Sequence, residues 1–179
     1  MSHRAGVRAS KFQSFAVVWV TLAVLALAST AWSAGPCFKC KTTAVNMPVS
    51  LAVGTVRTPE FFVKSTEYSI MIRVKRGLPL GQLECMMGIR NMVGSDHCTI
   101  SHFDTALGAD WTVWDGESIV AQGRVEGKEL GGYSDNTLDR SIGTFAGEAN
   151  KKYVLEVKFT KDGTPLNEFK PRLIVQMAY

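Results

Sequence analysis

The stretch EYSIMIRVK, residues 67–75, alternates almost without fault. Tyr68, Ile70, Ile72 and Val74 fall on one side, and Glu67, Ser69, Arg73 and Lys75 on the other, with Met71 the exception. A period of two rich in β-branched residues is a strand with one buried face. The stretch KYVLEVKFT, residues 152–160, repeats the pattern: Tyr153, Leu155, Val157 and Phe159 are expected inward, and Val154 breaks the polar side. Two half-buried strands of this kind call for sheets that share a core.

Working outward, residues 110–115 and 118–125 read as strands joined at Asp115-Gly116, where a tight turn needs residues that tolerate positive φ. Gly123 inside the second strand predicts a bulge or a close approach. Residues 142–145 read as a short strand, and Leu173, Val175 and Met177 as the inward face of the last one. Residues 126–141 are polar and glycine-rich and read as a long exposed connection. No amphipathic helix is expected after the N-terminal segment. The result is an all-β fold: an antiparallel β-sandwich of about 7–8 strands, immunoglobulin-like or jelly-roll-like, over residues 60–179. Residues 35–59, with Pro36, Pro48, Pro59 and a cysteine pair, read as a leader into it.

The N-terminus sets the compartment. Arg4, Arg8 and Lys11 precede an uncharged run from Phe15 to Ala28, and small residues follow to Ala34. Basic, apolar, then small is the order of a secretory signal. The rival is an uncleaved anchor, which needs about 20 apolar residues and reaches them over 15–34 only by counting Ser29, Thr30 and Ser33. The expected location is periplasmic or secreted, with inner-membrane anchoring as the alternative. Three of the 20 basic and none of the 16 acidic residues lie in 1–34, so the remainder carries 17 against 16. That balance, with no basic run interleaved with aromatics, argues against nucleic acid as a partner. Membrane contact is expected only through the N-terminal segment, if it stays.

Export favours disulfides for Cys37, Cys40, Cys85 and Cys98. Of three connectivities the local one, Cys85–Cys98 with Cys37–Cys40, is preferred. The Cys-Phe-Lys-Cys motif at 37–40 is not followed by a helical stripe, which a redox-active pair needs to lower its thiol pKa. Met86, Met87, Met92, His97 and His102 form a soft-donor cluster suited to copper or zinc. Methionines more often fill a core, so the cluster is an alternative and no cofactor is expected. No catalytic motif stands out: Ser95-Asp96-His97 and Ser101-His102 are adjacent in sequence, which is not triad geometry. Trp111 and Trp114 are an odd step apart and should face opposite ways, one of them into the core. Tyr133, Arg124 and Arg140 are the candidates for partner contact, being residue types favoured in interfaces.

The segments Glu67-Tyr68-Ser69-Ile70, Trp114-Asp115-Gly116 with Val120-Ala121-Gln122-Gly123, Ile142-Gly143-Thr144-Phe145 and Lys152–Val157 together resemble small exported bacterial β-sandwich proteins, many without known activity. Some of these are similar to periplasmic immunity proteins that neutralise secreted toxins. The resemblance implies a non-catalytic binding module with a protein partner in the cell envelope, and assigns no functional residue. A carbohydrate-binding sandwich with a glycan ligand, and a periplasmic soft-metal protein, are the competing expectations.

Overall fold

The computed structural model describes residues 43–89, 107–127, 129, 131–134 and 136–178. The chain is all-β, with two antiparallel sheets and few helices. One sheet has the strand order β1 (Thr43–Pro48), β10 (Arg172–Met177), β4 (Glu67–Lys75), β8 (Thr137–Ala146), β7 (Gly131–Tyr133). The other runs β2 (Gly54–Arg57), β9 (Lys152–Phe159), β5 (Ala109–Asp115), β6 (Ser118–Val125), with β3 (Phe61–Phe62) pairing further along β9. The named strand pairs are all antiparallel.

The alternating stretches place their apolar sets as read. Tyr68, Ile70, Ile72 and Val74 are buried on β4, and Tyr153, Leu155, Val157 and Phe159 on β9. Both sets belong to one hydrophobic cluster. At one end of it Tyr68 and Phe145 of the first sheet meet Phe61 and Tyr153 of the second, with ring centroids 5.7–6.4 Å apart. The polar tips are satisfied: the Lys64 amide donates to the Tyr68 hydroxyl at 2.7 Å, and the Glu148 amide to the Tyr153 hydroxyl at 2.9 Å. This is the expected arrangement for rings with an apolar body and a polar handle.

Four readings change. The stretch 35–59 is not simply a leader, because β1 pairs with β10 and β2 with β9. Pro48 closes an edge strand, where a missing N–H costs no ladder bond. A helix, α1 (Leu80–Met87), follows β4 and buries Leu83, Cys85, Met86 and Met87. Gly77, Pro79 and Gly81 disguise it, yet Pro79 sits at the N-cap, where its missing N–H costs no helical bond while its carbonyl accepts from the Gln82 and Leu83 amides, and Gly88 ends it in the left-handed conformation. The connection 126–141 is shorter than expected: Glu129 bridges to Ile89, Gly131–Tyr133 is β7, and β8 starts at Thr137. The short added strands bring the described total to ten.

The β5–β6 hairpin turns through Gly116 and Glu117, since Asp115 pairs with Ser118. Only Gly116 of the two takes a positive φ, 60°, as a turn with glycine at its first central position requires.

Candidate functional site

β6 is an edge strand, and β7 covers β8 only over Leu138–Arg140. The remainder of β8, Ser141–Ala146, therefore has one edge without a strand partner among the described residues. Between that edge and Gln122–Val125 of β6 lies a groove of about 380 Å³, also lined by Trp111 and Glu129. A second hollow of about 370 Å³ is lined by Asp110, Thr112 and Arg124 together with Trp111, Gln122 and Gly123.

Trp111 makes this geometry. Its ring packs against Gly123, its cross-strand partner on β6, and against Gly143 on β8. A Cβ on Gly123 would come within 2.6 Å of the indole, and one on Gly143 would collide with it as well. Gly143 reaches the ring at a bulge: Ile70 pairs with Gly143 and Met71 with Ser141, so Ile142 is the extra residue. The close approach signalled by Gly123 is thus present. The role of Gly143 depends on a contact between sheets, which no local pattern encodes.

Arg124 is exposed and holds Asp110 in a two-pronged pair, with Nε to Oδ1 at 2.6 Å and Nη2 to Oδ2 at 3.3 Å. Its Nη1 lies 3.5 Å from Glu126. The hydrogen bond from Arg124 holds the Asp110 carboxyl below its ordinary value, and Asp110 in turn raises the guanidinium. Tyr133, on β7, is 65% exposed. Both positions are open to a partner.

Arg140 is not. It points into the core from β8 and is fully buried. Its Nη1 donates to the carbonyls of Met87 at 2.6 Å and Leu107 at 2.9 Å, and its Nη2 to the carbonyl of Gly127. It therefore joins the last residue of α1, the approach to β5 and the exit from β6. A cation on the C-terminal carbonyls of a helix also suits the helix dipole. Burial pushes the guanidinium down to about 10, opposed by Glu129, so it is charged at neutral pH. Strand periodicity could have found it: Arg140 shares the parity of Leu138 and Ile142, which are both buried.

Of the soft-donor cluster, Met86 and Met87 belong to the hydrophobic core. Met92, His97 and His102 lie outside the described residues. Among the described residues no three His, Cys, Asp or Glu gather as a metal site would need. Cys85 is buried on α1 and is not a free thiol; Cys37, Cys40 and Cys98 fall outside the described residues, as does the segment 1–34. Among the described residues no helix is long and apolar enough to cross a membrane. Trp111 is core, and Trp114 is half-buried.

No protein-family model and no curated protein matches the chain. A solved structure resembles it: GEBA250068378 from Sulfurospirillum deleyianum, with a TM-score of 0.52 and 12% identity. The match covers 76% of this chain and 98% of that one. At that identity the likeness speaks for the fold alone.

Proposed function

We propose that this chain is an exported, non-catalytic binding module that contacts a protein partner in the cell envelope. Toxin neutralisation is one form of that role. The observation that carries the reading is Tyr133, a large aromatic 65% exposed on the edge strand β7, opposite Leu138 of β8. Tyrosine buries a large area at small entropic cost and is enriched where binding energy concentrates. Arg124 at the groove rim adds a charged contact. In this reading the two sheets form an immunoglobulin-like or jelly-roll-like sandwich, residues 1–34 direct export, and Cys85 pairs with Cys98.

The test is capture from envelope extract of the organism by the immobilised, exported protein. Tyr133→Ala should lower capture of one defined protein at least tenfold while leaving the melting temperature unchanged. Because β7 pairs with β8, point substitutions are needed here; deleting 129–136 would remove a strand. Equal capture by wild type and Tyr133→Ala would refute the assignment.

A glycan ligand is the second reading, favoured by the Gln122, Arg124, Glu129 and Ser141 lining of the groove. Against it, Trp111 is only 7% exposed and offers no open face for stacking on a sugar. A glycan array on the same protein separates the two.

A further inference from the structure

We propose that the β6 edge is the interface between two copies of this chain. β6 is eight residues long and ends its sheet with no hydrogen-bonded strand beyond it among the described residues, though at Gln122–Val125 it faces β8 across the groove. A strand edge with free main-chain groups is a template for pairing with another strand. Ile119 is 52% exposed and Val120 42% exposed, adjacent on this one strand. A bulge puts them there: Val113 pairs with Ala121 and Trp114 with Ile119, so Val120 is extra.

The order of residues along the edge says what fits it. Glu117, an exposed acid, stands at one end, Arg124, an exposed base, near the other, and the apolar pair between them. Two such edges brought together antiparallel about a two-fold axis between Val120 and Ala121 place Ile119 and Val120 of both copies at the axis. The same operation sets Arg124 of each copy against Glu117 of the other. The edge is therefore complementary to itself in charge and in apolar character, which a two-fold interface requires. Pairing identical edges closes after two copies, and the bulge opposes the open-ended strand addition that leads to aggregates.

Arg124 is common to this interface and to the proposed partner contact, but Tyr133 lies outside it, so Tyr133→Ala and Val120→Lys tell the two proposals apart. The experiment is sedimentation of the protein, made from the full chain and exported by its host, over a micromolar concentration series. Wild type should pass from monomer to dimer. Val120→Lys should weaken association at least tenfold with unchanged thermal unfolding, and Ile119→Lys is the second variant. Glu117→Arg, which leaves the Arg124–Asp110 pair intact, should weaken the dimer in low salt and less so in high salt. Tyr133→Ala should leave the dimer as it is. A monomer at every concentration overturns the proposal, as does a dimer that neither Val120→Lys nor Ile119→Lys disturbs. A monomer whose partner capture is lost on Val120→Lys also overturns it, and gives this edge to the envelope partner.

Discussion

Replacing Arg140 with alanine leaves the carbonyls of Met87, Leu107 and Gly127 without this donor. Hydrogen bonds to a charged group are each worth more than neutral ones, so the loss should be about 3 kcal/mol or more in urea unfolding. Arg140→Lys should not restore it, because an ammonium lacks the planar fork that reaches separate acceptors. The folded value lies below that of the free side chain, so the unfolded chain holds the extra proton above about pH 10. Stability from this group therefore rises with pH only in that alkaline window and is flat around neutrality. Asp110 behaves in the opposite sense: its carboxyl is depressed by Arg124, and its small, solvent-screened contribution is lost as pH falls through the folded value. A carboxyl NMR titration should place Asp110 below the ordinary 3.8 and move it upward in Arg124→Ala. Gly143→Ala should cost about 1–3 kcal/mol, since the new methyl meets the indole of Trp111 in a packed core.

At the scale of elements, β4 and β9 were legible because one face of each is core and the other is not. β8 was legible only from Ile142 onward, because Arg140 on its inner face looks like a surface residue until its three carbonyls are seen. Helix α1 escaped because its stripe is short and fully apolar at the C-terminal end, where Cys85, Met86 and Met87 are consecutive. Periodicity cannot separate such a run from a buried strand. The partner candidates divide on the same ground: Tyr133 and Arg124 are exposed, whereas Arg140 belongs to the core. The groove itself depends on where β7 stops along β8, a matter of pairing length. The contribution of α1 is testable: Leu83→Ala, fully buried, should cost about 3 kcal/mol.

Across the described residues, one apolar cluster draws on both sheets and on α1. A shared core leaves no sheet able to unfold alone, so denaturation should be a single transition. Tryptophan fluorescence, to which Trp111 between β6 and β8 and Trp114 on the same strand both contribute, and far-ultraviolet circular dichroism should then give coincident midpoints. Separate midpoints would show that the sheets come apart in steps.

The bonds made by Arg140 also bear on how this protein can change over generations. The clamp demands one particular side chain but only main-chain oxygens in return, and any amino acid supplies those. Positions 87, 107 and 127 are thus released from its constraint, while position 140 is not. Among descendants of a common ancestor, the guanidinium should persist at 140 even where the residues it holds have all been exchanged.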